Sequence, residues 1–318
     1  MINWGIIGAG NIAHRFANSL AQVEGGHLYA VANRTIEKAQ AFQADHPSDK
    51  AYGSYEELLN DENVDAVYIA LPHQLHLEWI EKAFKAGKAV LSEKPATMNV
   101  TEAKEIARLQ EKYPVFFMEA MKSRFTPAYE AVAQRIQAGE IGDITKITTS
   151  LCRVFDEATS SYHFQEGPGG CLLDMGIYNA GLMQGLLPGN YILQDVTFEM
   201  HPNNIEKYVY ATFDVDGVPT TLESAFDRQT DTEAVITGTK GEIVVYDFHR
   251  PTSYAVTIRD GETEYIEAPY VVDDFYGEIK HVVDLLESGK IESDRMPIAD
   301  TIAMADIISQ IKGRIFPE

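Results

Sequence analysis

The feature that most constrains this chain lies in its first thirteen residues. Ile2, Trp4, Ile6 and Ile7 belong to a short, mostly apolar run, and Gly8-Ala9-Gly10-Asn11-Ile12-Ala13 follows at once. A run of this length suits a buried strand of a parallel sheet. A Gly-x-Gly-x-x-Ala turn between such a strand and a helix lets a backbone come close to a dinucleotide. Gly8 permits the tight turn, Gly10 puts no Cβ against a pyrophosphate, and Ala13 lets the helix pack closely on the strand. The first helical amides, at Asn11 and Ile12, then face the phosphates, where the helix dipole favours negative charge.

At 318 residues the chain is long enough to bury the cores of two domains. Its 26 lysines and arginines face 48 aspartates and glutamates, for a formal charge of −22. A surface this acidic repels nucleic acid and anionic membrane, so neither is an expected partner. Any phosphate on a ligand must be held by local basic residues and amides. The first strand starts at Ile2, leaving no space for a signal peptide, and no run of about 18 apolar residues follows. A cytoplasmic protein is expected. Two cysteines, Cys152 and Cys171, make neither a disulfide framework nor a zinc site.

The second strand, residues 27–32, ends in Asn33-Arg34-Thr35, and a helix starts at Ile36 with Thr35 as its expected cap. Here a dinucleotide fold reads the adenosine ribose. An acidic residue accepts from a free 2′-hydroxyl, whereas an arginine accommodates a 2′-phosphate. This chain offers Asn33 and Arg34, with Lys38 four residues on and on the same helical face. NADP is therefore expected ahead of NAD. The alternative is that Arg34 stacks on adenine and both cofactors bind.

Residues 64–71 read as a strand covered on both faces, ending at Leu71-Pro72-His73 on the carboxyl side of the sheet, where such folds bind ligands. His73 and His76 lie three apart at a helix start. No cysteine or acidic cluster with ligand spacing accompanies them, so no metal is expected; they line the cofactor cleft or cap the helix. The strand 89–92 runs into Glu93-Lys94-Pro95, whose proline holds Lys94 extended at the strand's carboxyl end. A helix over 100–112 and a strand over 114–118 continue the alternation of a doubly wound parallel sheet.

From Thr126 the pattern changes. A helix over 129–137 gives way to strand-like segments at 144–153, 191–200, 207–214, 218–226, 233–237 and 243–246. Strands clustered in this way predict an α+β second domain built on a mostly antiparallel open sheet. The expected division is 1–120 and 121–318. A sheet with its helices on one side leaves the other face to be covered, so a homodimer or homotetramer joined by those sheets is expected. Residues 169–187 read as one largely apolar helix, from one face of which Asp174 and Tyr178, four apart, project. On pattern alone such a tyrosine is more often core than catalyst, and such an aspartate is often a cap. Helices over 275–286 and 298–312 close the chain.

Taken together, Gly8-x-Gly10-x-x-Ala13, Ala32-Asn33-Arg34, Leu71-Pro72-His73-Gln74-Leu75-His76, Gly87-Lys88-x-Val90-Leu91-x-Glu93-Lys94-Pro95 and Glu119-Ala120-Met121-x-x-Arg124-Phe125 resemble the glucose-fructose oxidoreductase and inositol dehydrogenase family. The resemblance implies a Rossmann domain with an α+β partner, and cofactor contacts from Leu71, Pro72, His73, His76, Glu93, Lys94 and Arg124. It also turns Asp174, Gly176 and Tyr178 into a match for the segment that supplies the family's acid/base residue. The tyrosine form is similar to the dihydrodiol and aldose dehydrogenase branches. The implied reaction passes hydride between nicotinamide and a secondary hydroxyl or carbonyl of a sugar, polyol or trans-diol. A tyrosine ordinarily ionises near ~10, so a base near neutrality needs a neighbouring cation, and Lys94 is the candidate. Asp174 would bind substrate or tune Lys94. Two other readings remain: an NAD-dependent glycoside hydrolase of the same fold, against which Tyr178 and Arg34 argue, and a nonenzymatic NADP sensor, which would need neither Lys94 nor Tyr178.

Overall fold

The computed structural model describes residues 1–259 and 261–317; Asp260 and Glu318, both in the span expected for the second domain, lie outside the described residues. The chain forms two compact units. Met1–Met121 joins Val271–Ile302 in the first, and Lys122–Tyr270 joins Ala303–Glu318 in the second.

In the first unit the elements run β1 (Ile2–Ile7), α1 (Asn11–Leu20), β2 (Gly26–Ala32), α2 (Ile36–Asp45), β3 (Lys50–Tyr52), α3 (Tyr55–Leu59), β4 (Ala66–Ile69), α4 (His76–Lys85), β5 (Ala89–Glu93), α5 (Val100–Lys112) and β6 (Phe117–Ala120). The strands form one sheet in the order β3-β2-β1-β4-β5-β6, every pair parallel. β4 and β5 are buried at every position, as their unbroken apolar runs require when helices cover both faces. The order reverses at β1, so the carboxyl ends of β1 and β4 flank the topological switch point where such sheets bind ligands.

Val271–Ile302 corrects the expected division of the chain. Its helix α8 (Tyr276–Glu287, in the numbering used below) packs on α1, burying Phe275, Ile279, Val282 and Val283 completely. Each such side chain contributes about 1.5–3 kcal/mol when removed from water. Arg15 pairs with Asp274 and lies over the Phe275 ring, while the Ser19 hydroxyl donates to Asp273 at 2.8 Å. The amphipathic pattern announces a helix but not the surface that its apolar face will cover.

The second unit contains α6 (Pro127–Gln137), β7 (Ile144–Cys152), α7 (Ile177–Leu186), β8 (Tyr191–His201), β9 (Ile205–Val215), β10 (Val218–Ala225), β11 (Glu233–Gly238), β12 (Gly241–Tyr246), β13 (Ser253–Ile258) and β14 (Thr263–Glu267). Helix α9 (Ile298–Ile315) ends in it. α6 begins where Thr126 Oγ1 accepts the Tyr129 N–H and Pro127 supplies a preset first turn. The strands form an eight-stranded sheet, antiparallel except where β7 and β10 run side by side. β9 alternates, with Val209, Ala211, Phe213 and Val215 buried against the helices' side. The other face presents Thr148, Ser150, Tyr210, Thr221 and Glu223. No helix among the described residues is long and apolar enough to cross a membrane.

Candidate active site

The first unit builds a cradle at the switch point. Gly8 has φ +102°, and a Cβ there would sit 2.5 Å from the Ala70 carbonyl oxygen, so the turn leading out of β1 tolerates only glycine. Gly10 is different: a Cβ there would meet nothing within 4 Å. The chain's own packing does not need that glycine, and the space beside it is what a phosphate backbone requires. Asn11 and Ile12 open α1 directly after it, with their amides at the helix N-terminus.

At the end of β2, Asn33 Oδ1 accepts the Thr35 N–H at 3.0 Å. Thr35 itself stands at the cap position, but its hydroxyl makes no capping bond, contrary to expectation. The Asx turn takes over that task. It leaves Arg34 and Lys38 exposed at the start of α2. The Arg34 charge acts on Tyr55, a tyrosine whose ionisation is pushed up by burial and pulled back by that charge. Open glycine, helix amides and two exposed cations fit a dinucleotide phosphate, and an arginine in place of an acid fits a 2′-phosphate.

The next two strand ends hold their residues tightly. His76 is fully buried, with Nε2 2.8 Å from the Leu71 carbonyl and Nδ1 2.9 Å from that of Pro95, tying the end of β4 to the segment after β5. Its ring meets His73 edge to face. His76 is thus a structural tie, not a residue open to the cleft. Leu71, Pro72 and His73 form the bend between β4 and α4. Glu93 is also buried: Tyr68 donates its hydroxyl to one carboxylate oxygen, and the Lys94 N–H donates to the other at 3.1 Å. Glu93 therefore fixes the backbone from which the Lys94 side chain leaves. Among the described residues no group of three or more His, Cys, Asp or Glu could hold a metal ion.

In the second unit the expected helix is continuous from Cys171 to Leu186 but carries a π turn near its start. Leu172–Gly176 forms a π-helical turn, and α7 follows from Ile177. Single π turns inside helices recur at functional sites. Every residue from Cys171 to Gln184 is buried except Asp174, whose side chain is 25% exposed. Asp174 Oδ2 lies 3.5 Å from His163 Nε2. Tyr178 is 6% exposed and faces the edge of His249, with ring centres 5.9 Å apart. Arg153 Nη2 lies 3.0 Å from His249 Nε2. A guanidinium only donates, so Nε2 accepts and the His249 proton sits on Nδ1. Arg153 and His249 escape sequence reading because neither lies near the turn in the chain; only the fold of β7 and the loop after β12 brings them there.

What holds α7 in place is also visible. Asn179 Nδ2 donates to Thr149 Oγ1 and to the Glu223 carbonyl, each at 3.0 Å, pinning the helix to β7 and β10. Arg124, expected at the cofactor, is 2% exposed and gives its guanidinium to the Gly181 carbonyl and the Gln184 side chain. A Cβ on Gly185 would collide with Tyr129, so glycine lets α7 come this close. Arg124 thus serves the helix that carries Tyr178, whereas the expectation placed it at the cofactor. Cys171 is fully buried, its thiol pushed up by burial, with Sγ 3.4 Å from the Ser224 carbonyl. That makes it a packed hydrophobe and no nucleophile.

The profile described as "Oxidoreductase family, NAD-binding Rossmann fold" matches residues 2–121, and the "GFO/IDH/MocA C-terminal domain" profile matches residues 129–244. Mouse trans-1,2-dihydrobenzene-1,2-diol dehydrogenase is 30% identical over 333 residues, spanning 100% of this chain and 98% of the mouse protein. The scyllo-inositol 2-dehydrogenase (NADP(+)) IolU of Bacillus subtilis is 29% identical over 334 residues, spanning 100% of this chain and 99% of that protein. In fold, the chain is similar to KijD10, a 3-ketoreductase from Actinomadura kijaniata solved with NADP and TDP-benzene. The TM-score is 0.88 at 23% identity, over 98% of this chain and 97% of the other. With both halves matched in order, the chain belongs to the Gfo/Idh/MocA oxidoreductase family.

Proposed function

We propose that this protein is an NAD(P)-dependent dehydrogenase, with NADP preferred, acting on a secondary hydroxyl of a sugar, polyol or trans-diol or on the matching carbonyl. The observation that carries this reading is a buried tyrosine, Tyr178, one turn beyond the single partly exposed residue of an otherwise buried segment, Asp174. It occurs in a chain that also has the open Gly10 and exposed Arg34. The mouse and Bacillus relatives are named for a trans-diol and an inositol, both compounds with neighbouring secondary hydroxyls.

NADP supplies the hydride acceptor, or the hydride, when bound. The chain's own work is to orient the reacting carbon and move one proton. Gly8, Gly10, Asn11 and Ile12 seat the pyrophosphate. Arg34, Asn33 and Lys38 read the adenosine ribose, and Leu71, Pro72 and His73 shape the cleft wall. Glu93 and His76 hold the backbone around Lys94. Tyr178 is the group that exchanges the proton with the substrate oxygen, Asp174 takes a second substrate hydroxyl, and Lys94, at the carboxyl end of β5, is the cation of the catalytic set.

The −22 charge suits a cytoplasmic protein without nucleic-acid or membrane partners. Tyr210, exposed on the sheet face that α7 does not cover, supports a homodimer or homotetramer joined through that face. Light scattering tests this. The reaction itself is tested by screening aldoses, inositols and trans-diols with NADP and with NAD, reading the absorbance of reduced cofactor. Turnover of at least one vicinal diol, faster with NADP, is expected; inertness of all three classes with both cofactors would refute the reading.

A further inference from the structure

The second unit contains a pocket that the redox chemistry does not use. Its volume is about 410 Å³, within the range of small-molecule sites, and Gly167, Gly169, Ile205, Glu206, Gly313 and Phe316 line it. Glu206 is 1% exposed. It takes the Leu172 N–H at 3.3 Å, one of roughly four acceptor sites on a carboxylate. A Cβ on Gly170, at φ +104°, would collide with that carboxylate, so glycine is what admits it.

Lys312 stands on the same wall. Its side chain makes no ion pair or hydrogen bond among the described residues. The other acid of the lining, Glu166, already accepts from Asn204 Nδ2 at 2.9 Å. The pocket thus presents a buried acceptor, a cation that makes no hydrogen bond or ion pair among the described residues, and an apolar surface from Ile205 and Phe316. Burial pushes the Glu206 carboxyl up while the Lys312 charge opposes that shift, so an added cation beside Glu206 would favour its ionised form.

We infer that this pocket binds a small zwitterion of the apolar amino-acid class, with its ammonium on Glu206, its carboxylate on Lys312 and its side chain against Ile205 and Phe316. A charge-assisted bond to each end is the selectivity device, since a ligand lacking either charge leaves one pocket group unpaired. This site does not depend on the redox reading, because binding is measured without turnover.

The test is calorimetric titration of the full chain with L-phenylalanine, 2-phenylethylamine and 3-phenylpropanoate. Phenylalanine should bind saturably at millimolar concentration, and each ligand with one charge should bind about ten- to a hundredfold more weakly. Glu206→Gln keeps an acceptor for the Leu172 N–H and should cut phenylalanine affinity to a similar degree. Gly313→Leu, on an exposed helical position where a Cβ meets nothing within 4 Å, should fill the pocket and abolish binding without loss of fold. Absence of saturable phenylalanine binding would overturn the inference. So would equal affinity for either single-charge ligand, or unchanged affinity in Gly313→Leu.

Discussion

His163 Nε2 and Asp174 Oδ2 lie 3.5 Å apart, each side chain about a quarter exposed, where the π turn lifts Asp174 out of an otherwise buried segment. The pair gives the proposed substrate site a polar edge one helical turn before the buried Tyr178. Removing the carboxylate by Asp174→Asn should lower kcat/KM more than tenfold, and His163→Gln by less. In a double-mutant cycle on kcat/KM the two should couple by about 0.2–1 kcal/mol, the range for partly exposed pairs. Strict additivity would show that they act separately.

The exposed Arg34 is the residue on which cofactor choice should depend. A phosphate contact to arginine is a charge-assisted bond of about 1.5–3 kcal/mol, so Arg34→Ala should weaken NADP roughly ten- to a hundredfold and leave NAD nearly unchanged. Fluorescence titration of both cofactors measures this. Equal losses would mean that the guanidinium reads adenine.

The two glycines of the turn should part company on substitution. Gly8→Ala forces φ +102° on a Cβ that also meets the Ala70 carbonyl, and should cost about 1–3 kcal/mol of stability in a denaturant titration. Gly10→Ala has space and should change stability by less than about 0.5 kcal/mol while weakening NADP. Similar unfolding midpoints for the two variants would contradict this division.

Much of the fold could be read from the sequence because its signals are local: buried runs in the first sheet, a glycine turn after β1, alternation in β9. What could not be read depends on partners far along the chain. Lys50–Tyr52 is too short to register, and the outer strands β13 and β14 lack a clean alternation, with Tyr254, Ala255 and Val256 all buried in a row and β14 mostly exposed. The docking of Val271–Ile302 on α1 is a tertiary choice. The Arg124 motif matched the family, yet motif spacing says nothing about which way a guanidinium turns. Asp174 and Tyr178 stood out only through resemblance, since spacing alone makes them core and cap.

Acid sensitivity should come in part from the first unit. Burial, reinforced by the Arg295 charge, lowers the pKa of His281 from 6.5 to about 4, and Nε2 lies 2.7 Å from the Ser293 hydroxyl. Its folded pKa lies below the unfolded one, so its contribution to stability is complete above pH 6.5. That contribution is lost as pH falls from there through about 4. Denaturant titrations across that window should show stability declining with acid, and His281→Gln should flatten the decline. A parallel decline in the variant would assign acid sensitivity to other groups.

The most direct test of the account is the turnover of Tyr178→Phe on the best diol or polyol substrate, measured beside its affinity for NADP. Positioned acid/base groups contribute ~10² to 10⁴ in rate, so kcat should fall by that order while NADP binds as in the wild type. A variant that keeps most of its turnover would contradict the account and pass the proton to His163 or Lys94.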